Sequence, residues 1–394
     1  MMEISAQTGR RLRACIISLM WLPVIMTYSC RNEQVSTVET NQSLSGGIVN
    51  AANGFSIERK DGYSVVTIKK PWQGADNISM SYYLVGKGSV IPAGVDSSQV
   101  IFVPIKKIIC MSTTHSGMIQ ALGEENSIVA LSGTGFIYSP SMRDRVAQGH
   151  IKEVGYESNL NQELIIKISP DLVMMYGIGS ESAGHVNKIK ELGIKIMFNA
   201  DYLENDPLGK AEWIKLFGAL YCKEEMADSI YRAEADEYNL IRNYIEDNCT
   251  ERPTVLLGLP FKDTWFISPG NSFISKIIQD AGGSYLWKNT TSSVSMPYGL
   301  ENVYIAALDA DYWLNIGTVT SSEEISMVDN RLSDLKCFRN KNLYNNNKRI
   351  TAQGGNDYWE SGTLRPHLVL KDIAAILHPG LFREHELFFY KRIY

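Results

Sequence analysis

The chain has 394 residues, of which 44% are hydrophobic and 21% are charged, and its formal net charge is −5 at pH 7. These values are typical of a folded protein with enough apolar surface for two lobes of ordinary size. The acidic balance and the absence of a basic stripe argue against a nucleic-acid partner.

The N-terminus has the features of an export signal. Three arginines within residues 10–13 precede an apolar run, residues 15–29, that is shorter than the roughly 20 residues of a membrane-spanning helix. Cys30 follows directly, and the segment resembles a bacterial lipoprotein signal, although Thr27 stands where a leucine is usual. We therefore expect residues 1–29 to be removed and Cys30 to be acylated. The alternative is an ordinary secretory signal with an incidental cysteine.

An acylated Cys30 places the protein in the bacterial cell envelope, anchored to a membrane and facing the periplasm. Each buried methylene of an acyl chain contributes roughly 0.8 kcal/mol to attachment, so several chains form a stable anchor. Residues 30–46 are polar with few apolar side chains, which predicts a flexible tether between the anchor and the folded part.

Residues 47–103 are predicted to form a β-rich N-terminal extension. Residues 55–72 alternate apolar and polar side chains on both sides of Asp61-Gly62, which is the pattern of a hairpin. Residues 78–90 are predicted to be a further strand and turn. The pattern does not indicate whether this extension packs on the neighbouring lobe or contacts another envelope component.

Residues 104–206 alternate short apolar strands with helices, which predicts an α/β lobe with a mainly parallel sheet. The first helix is expected to begin at Ser112, Thr113 or Thr114 and to end at Gly123. Strands are predicted within 106–112, 127–133, 171–177 and 194–199, and further helices within 161–168 and 185–193.

Residues 207–249 interrupt the alternation with apolar side chains at helical spacing. Pro207 suits a helix start, and two helices are predicted to meet near Cys222-Lys223. The second helix, residues 224–246, is expected to be roughly 35 Å long, about the size of a lobe.

Residues 250–394 return to the alternating pattern and are predicted to form a second α/β lobe. The helix within 271–283 is expected to have Asn271 as its N-cap and a Gly-Gly stop, and the last helix is predicted within 364–380. Further strands are predicted within 254–260 and 264–270. A helix that leads into a strand is predicted within 300–317, and another helix is predicted within 321–332. Glu163 and Glu301 each begin a helical turn that leads into a strand, which indicates two related lobes.

Near the C-terminus, GGNDYWESG (354–362) combines glycines with two aromatic residues. Glycine allows close approach of the main chain, and Tyr358 and Trp359 offer flat apolar faces with polar tips. The composition favours a pocket wall, although a plain connector is an alternative.

Together these segments resemble the substrate-binding proteins of iron-siderophore, haem and vitamin B12 importers. The segments that carry the resemblance are KIICMSTTHSGMIQALGEENSIVALSG, NQELIIKISPDLVMMYG, DPLGKAEWIKLFGALYCKEEMADSIY and GNDYWESGTLRPHLVLKDIAAILHP. The resemblance implies an α/β fold of two lobes with mainly parallel sheets, bridged by one long rigid helix at about 224–246, with the ligand between the lobes.

The resemblance also implies roles for particular residues. One exposed acid in each lobe, Glu163 and Glu301, would pair with arginines of an ABC transporter permease; the alternative is that both only favour their helix starts. Ligand contacts are expected at the strand-end loops and at the 354–362 segment. They are Ser112, Thr113, Thr114, His115, Ser132, Gly133, Tyr156, Tyr176, Gly177, Trp265, Tyr298, Tyr358, Trp359 and Arg365.

Aromatic residues outnumber cations among these candidates, which favours a bulky, weakly charged metal chelate of cobalt or iron, such as a corrinoid, a haem or a hydroxamate complex. The chelate is a cargo, and no resident cofactor is expected. We expect a monomer without catalytic residues, since the sequence has no GxSxG, P-loop or HExxH motif.

Three alternatives remain. A bare transition-metal receptor needs converging histidines and carboxylates, but the six histidines show no HxH or HxxxH pair. An envelope enzyme with an unrecognised nucleophile and a purely structural lipoprotein are the other two. The remaining cysteines, Cys110, Cys222, Cys249 and Cys337, show no CxxC spacing and are expected to be buried thiols.

Overall fold

Among the residues that the structure describes, the first regular structure is the hairpin predicted around Asp61-Gly62. The computed structural model describes residues 49–177, 189 and 191–394, which belong to the unit Gly46–Tyr394. The hairpin extends to a four-stranded sheet of order β1-β2-β3-β4, antiparallel except for the parallel β3–β4 pair. Its strands are β1 (Phe55–Lys60), β2 (Tyr63–Lys69), β3 (Ser79–Gly86) and β4 (Val100–Val103).

This N-terminal sheet belongs to the same core as the first lobe. Phe55, Ile57, Val66 and Ile68 are buried in one cluster with the strands of that lobe. Residues 49–103 are therefore an integral layer of the first lobe in the described structure.

Two buried carboxylates hold the chain entering this sheet. The Glu212 carboxylate accepts the main-chain N–H of Ala51 and Ala52 at 2.6 and 2.8 Å. The Glu204 carboxylate accepts the N–H of Gly54 at 2.7 Å and the indole N–H of Trp213 at 3.0 Å. Because each carboxylate is almost fully buried, these donors replace the water that it loses on folding.

The first lobe has the predicted parallel sheet, of order β7-β6-β5-β8-β9. Its strands are β5 (Ile108–Cys110), β6 (Ile128–Leu131), β7 (Lys152–Glu153), β8 (Leu172–Met175) and β9 (Ile196–Phe198). Its helices are α1 (Thr113–Ala121), α2 (Pro140–Ala147) and α3 (Gln162–Ile168). Of the three proposed caps of α1, Ser112 is the N-cap, and its hydroxyl accepts the N–H of Thr114. The helix predicted within 185–193 lies largely outside the described residues.

The helical segment contains three helices rather than the two predicted, because the first helix is interrupted at Trp213. They are α4 (Pro207–Glu212), α5 (Ile214–Tyr221) and α6 (Glu224–Asn248). Helix α6 has 25 residues and is roughly 37 Å long. Ala227 and Tyr231 belong to the first core, whereas Tyr238, Ile241 and Ile245 belong to the second. A single helix therefore joins the two lobes.

The second lobe is built on a sheet of order β12-β10-β14-β15-β16, parallel except for the β15–β16 pair. Strands β11 and β13 form a separate antiparallel pair. The strands are β10 (Thr254–Leu257), β11 (Thr264–Ile267), β12 (Ser284–Tyr285), β13 (Met296–Gly299), β14 (Tyr312–Leu314), β15 (Leu343–Asn345) and β16 (Lys391–Arg392). The helices are α7 (Phe273–Asp280), α8 (Leu300–Ala307), α9 (Ser322–Val328), α10 (Lys336–Arg339), α11 (Asp357–Glu360) and α12 (Pro366–Leu377).

Three local expectations are wrong. Ser272, not Asn271, is the N-cap of α7, and the Asn271 side-chain oxygen (Oδ1) instead accepts the N–H of Ser292. The 354–362 segment is not all loop, since it contains α11. Cys222 is exposed and Cys249 is half-buried, so only Cys110 and Cys337 are buried thiols.

Within the part of the chain that the structure describes, no helix is both long and apolar enough to cross a membrane.

The Glu212 contacts lead to a stability prediction. Replacing Glu212 with alanine leaves the N–H groups of Ala51 and Ala52 without their acceptor and removes a 2.8 Å ion pair with buried Lys215. We expect the free energy of unfolding to fall by roughly 3–5 kcal/mol, as when one partner of a buried ion pair is removed. Urea unfolding measured by circular dichroism tests this. Exposed Glu237→Ala on α6 is the control and should change stability by less than about 0.5 kcal/mol; equal effects would contradict the prediction.

Candidate ligand-binding cleft

A cavity of about 560 Å³ lies where three parallel strands of the second lobe end. Residues that follow or end β10, β14 and β15 line it, and Phe136 of the first lobe closes one side. The full lining is Phe136, Leu257, Gly258, Phe266, Ser268, Phe273, Ile274, Asn315, Gly317, Thr318, Asn346, Asn347, Ile350, Gly354, Asn356, Tyr358 and Trp359. The carboxyl ends of parallel strands are the usual place for ligands in α/β sheets, and the volume suits a small molecule.

Aromatic side chains form the walls of this cavity. Phe136, Phe266 and Trp359 are each about half exposed, at 49%, 56% and 49%. Tyr358 is buried behind Trp359, with the ring centroids 4.8 Å apart and the planes perpendicular. Half-exposed aromatic rings around one concavity are suited to contact with a large flat or rigid ligand.

Neutral amides supply most of the polar groups. The Asn315 side-chain oxygen (Oδ1) accepts a hydrogen bond from the Tyr390 hydroxyl at 2.7 Å, and the Asn356 side-chain amide donates to the main-chain oxygen of Asn346 at 3.1 Å. The buried Asn347 side-chain oxygen has no hydrogen-bond partner. None of the described residues that line the cavity is charged. A ligand charge buried here would lose its hydration without an ionic partner, so the lining favours uncharged surfaces.

The predicted first-lobe residues do follow strand ends, but the structure places them differently. Ser112 and Thr113 are partly buried, and the Thr114 hydroxyl lies 3.4 Å from the Trp359 carbonyl oxygen of the other lobe. Ser132 is partly buried, and its N–H donates to the Cys110 carbonyl oxygen at 2.9 Å.

Gly133 and Tyr156 lie beside the cavity wall. A Cβ added at Gly133 would lie 2.9 Å from the Phe136 ring and 3.6 Å from the Tyr156 ring, so these three residues are neighbours. Tyr156 is 53% exposed. Gly133 has a φ of 71°, which glycine adopts without strain.

The other predicted first-lobe residues lie at a buried polar cluster, formed by His115 and Asp201, which are both near the partly buried Tyr176. His115 is fully buried, its ring lies 6.1 Å from that of Tyr176, and neither ring nitrogen has a hydrogen-bond partner. Gly177 donates its N–H to the Glu157 carboxylate at 3.0 Å. Asp201 is also fully buried, and neither carboxylate oxygen has a hydrogen-bond partner.

Burial controls the protonation of this cluster. It raises the pKa of Asp201 from its ordinary 3.8 to about 6, and nearby Lys210 opposes this rise. It lowers the pKa of His115 to about 3, so this imidazole is neutral near pH 7. His115 is therefore an inaccessible neutral ring in this structure rather than an open ligand contact.

In the second lobe, Tyr358 and Trp359 line the cavity as expected, but Trp265 does not. Trp265 is fully buried, and its indole N–H donates to the Leu257 carbonyl oxygen at 3.0 Å. Because side chains alternate along a strand, the next residue, Phe266, faces the cavity instead. Tyr298 pairs with Trp265 across the β11–β13 ladder and is not part of the lining. Arg365 lies at a second cavity, of about 300 Å³.

The two lobes meet at Glu360, which is 3% exposed. Its carboxylate accepts the main-chain N–H of Tyr138 at 2.6 Å and of Ser139 at 3.2 Å, and the side-chain amide of Gln120 at 3.2 Å. Burial raises the pKa of the Glu360 carboxyl, while these donors favour its ionised form. Asp357 instead pairs with Arg349 at 2.6 Å within the second lobe.

The two predicted docking acids differ in their surroundings. Glu163 is exposed in the first turn of α3. Glu301 is exposed in the first turn of α8, but both of its carboxylate oxygens lie 2.8 Å from the Arg331 guanidinium. An exposed pair of this kind contributes only about 0–1 kcal/mol. Cys30 lies outside the described residues.

Several cavity residues were not predicted from the sequence. The most distinctive are Phe136, Phe266 and the asparagines Asn315, Asn346 and Asn347. The sequence does contain a pattern that indicates Asn346 and Asn347, because three asparagines directly follow the apolar pair Leu343-Tyr344. Phe136 lies in a turn after β6, and no local pattern assigns it to the cleft.

A cavity between two α/β lobes that share one long helix is the arrangement of a two-lobed binding protein. The model of the periplasmic binding protein family matches residues 108–352, more than half of the chain, and the chain belongs to this family.

Relatives and solved structures extend this assignment. An uncharacterized lipoprotein of Methanocaldococcus jannaschii is 29% identical over 330 residues, covering 80% of this chain and 76% of the relative. Another from the same organism is 24% identical over 96% of this chain and 98% of its own length.

A possible iron-binding, periplasmic solute-binding protein from Staphylococcus epidermidis has a TM-score of 0.54 at 15% identity, covering 70% of this chain and 99% of its own. A periplasmic heme-binding protein from Pseudomonas aeruginosa has a TM-score of 0.53 at 16% identity, covering 70% of this chain and 94% of its own. These two structures share the fold.

The buried cluster leads to a pH prediction. Because the pKa of Asp201 is raised to about 6, the folded state binds this proton more tightly than the unfolded state, and the resulting stability is lost as the pH rises from about 4 to 6. Asp201→Asn removes this loss. We therefore compare the free energy of unfolding of the variant with that of wild type. As the pH rises from about 4 to 6, we expect this difference to shift in favour of the variant by up to about 3 kcal/mol, at about 1.4 kcal/mol per pKa unit.

Urea unfolding at pH 4, 5, 6 and 7 measures this difference. His115→Gln is the matched variant, with the opposite sign. The lowered pKa of His115 makes its contribution to stability rise with pH between about 3 and 6.5, and the variant loses that rise. A pH-independent difference for Asp201→Asn would show that its carboxyl titrates normally.

Proposed function

We propose that this chain is the solute-binding component of an ABC importer, which captures a metal chelate in the cleft between its lobes and delivers it to a membrane permease. The observation that carries the proposal is the 560 Å³ cavity at the strand ends of the second lobe, which Phe136 of the first lobe bounds on one side. Membership of the periplasmic binding protein family supports the same function.

The chemistry of the lining supports a chelate with a weakly charged surface. Three half-exposed aromatic rings offer stacking and apolar contact, and neutral asparagine amides offer hydrogen bonds. A corrinoid fits this description best, because most of its periphery consists of neutral amides that form hydrogen bonds without an ionic partner. A haem with two carboxylates or an anionic catecholate complex would require cations, which the described lining does not supply.

The lining also favours a chelate over a bare transition-metal ion. Zinc and similar ions are held by thiolate, imidazole and carboxylate ligands, and none of these groups is among the described residues of the cavity. Across the described part of the chain, no group of three or more such side chains is placed to hold a metal ion.

Delivery requires a partner and an orientation at the membrane. Glu163 and Glu301 are exposed, one in each lobe, and are the acids proposed to meet basic residues of the permease. Exposed charges of this kind act mainly through steering and orientation. Acylation of Cys30 would anchor the protein, in agreement with relatives that are named lipoproteins.

The test uses the chain from Gly46 onward, which contains both cores, incubated separately with cobalamin, haem and a ferric hydroxamate. We expect a stoichiometric corrinoid absorption band to remain after desalting. Trp359→Ala removes one half-exposed wall and should weaken binding by about 10- to 100-fold, which corresponds to about 1.4–2.8 kcal/mol.

Phe102→Ala is the matched control, because this aromatic residue is 43% exposed on β4 and is not part of the cavity. It should leave the affinity unchanged. Retention of haem or of the hydroxamate complex alone would keep the importer function and overturn the corrinoid preference. If the protein retains none of the three, the proposed cargo class is wrong.

A further inference from the structure

The two aromatic walls of the cavity are attached to the two sides of one contact between the lobes. Trp359 directly precedes Glu360 in the second lobe, and Phe136 lies two residues before Tyr138 in the first lobe. The Glu360 carboxylate accepts the N–H of Tyr138 at 2.6 Å and that of Ser139 at 3.2 Å. The same hydrogen bonds therefore fix the distance between the walls.

Main-chain packing reinforces this contact. A Cβ added at Gly117 of α1 would lie 2.0 Å from the Glu360 carbonyl oxygen, and one at Gly355 would lie 2.6 Å from the Ile137 carbonyl oxygen. Real Cβ atoms do not approach so closely, so glycine at both positions lets the lobes touch through their main chains. The contact is thus specified by shape as well as by charge.

The carboxylate is also poorly replaceable in this position. Glu360 is 3% exposed, and its three donors, Tyr138, Ser139 and Gln120, all belong to the first lobe. Hydrogen bonds to an ionised group are stronger than those between neutral groups, and their removal leaves the partly buried N–H groups of Tyr138 and Ser139 without this acceptor.

We propose that Glu360 is a positioning residue for the cleft, whose hydrogen bonds to the first lobe hold Phe136 and Trp359 at the ligand-binding separation before the ligand arrives. The importance of this for affinity rests on the proposed function, whereas the geometric part does not require a ligand. A cleft ordered in advance binds more tightly, because binding no longer has to order the two walls.

Two variants disturb the contact in different ways. Glu360→Ala removes the acceptor, and Gly117→Ala inserts a methyl group between the lobes without changing any charge. Alanine favours a helix by about 1 kcal/mol over glycine, so Gly117→Ala is expected to keep α1 folded. Glu324→Ala is the control, because this carboxylate also accepts a main-chain N–H, that of Thr320 at 3.0 Å, but entirely within the second lobe.

We expect both variants, but not the control, to bind cobalamin at least tenfold more weakly. Without any ligand, amide hydrogen exchange in the peptide 136–142 should become at least tenfold faster in Glu360→Ala. Thermal unfolding is measured in parallel, since a purely structural role would change stability and affinity together. If Gly117→Ala binds cobalamin more weakly but has an unchanged melting temperature, the contact acts on the position of the walls and not only on stability.

The outcomes distinguish this inference from the proposed function. If wild type retains cobalamin and both variants retain it equally well, the positioning role is wrong and the binding function stands. If wild type retains no chelate, exchange in peptide 136–142 alone decides whether Glu360 orders the first-lobe wall. If Glu360→Ala does not fold, Glu360→Gln replaces it. Its carbonyl oxygen can still accept the Tyr138 N–H, so intermediate affinity supports the inference and wild-type affinity contradicts it.

Discussion

One helix that belongs to two hydrophobic cores is the constraint on which the rest of this structure depends. Helix α6 places Ala227 and Tyr231 in the first core and Tyr238, Ile241 and Ile245 in the second. A large separation of the lobes would require this 25-residue helix to bend or lose its packing. The space between the lobes is consequently of nearly fixed width, and the loops at its edges determine what the cleft can bind.

Buried carboxylates that accept main-chain N–H groups fix irregular segments in both lobes, one of them at the edge of the cleft. Glu212 and Glu204 hold the chain entering the N-terminal sheet, Asp372 holds three consecutive N–H groups from Phe388 to Tyr390, and Glu360 joins the lobes. Each carboxylate loses its hydration on folding, and the donors offset that cost. These hydrogen bonds hold irregular segments in one conformation, as regular main-chain hydrogen bonds do in helices and strands. A binding site made of loops requires segments that are fixed in this way.

The two sides of the cleft differ in chemistry. The second lobe contributes an uncharged cavity of aromatic rings and amides. The first lobe contributes Phe136 and, away from that lining, the buried polar cluster of His115 and Asp201. Burial suppresses the charge of His115 near neutral pH and raises the pKa of Asp201, a rise that nearby Lys210 and the main chain of Tyr202 oppose. The cavity therefore selects its ligand by shape and hydrogen bonding. Titration of the first-lobe cluster instead changes the free energy of unfolding.

The amino-acid sequence was sufficient to predict the hairpin at Asp61-Gly62, the α/β class with two lobes, the long helix α6 and the aromatic segment at 354–362, because these depend on local periodicity and turn chemistry. It did not predict α2 or the interruption of the preceding helical segment at Trp213. It did not determine which face of a strand meets the cavity: alternation allows either Trp265 or Phe266, and only packing of the second lobe buries the former. The contact of Glu360 with Tyr138 joins residues 222 positions apart, so no local pattern specifies it. The cleft itself depends on tertiary structure, because its walls come from separate lobes that the shared helix and the contacts around Glu360 bring together.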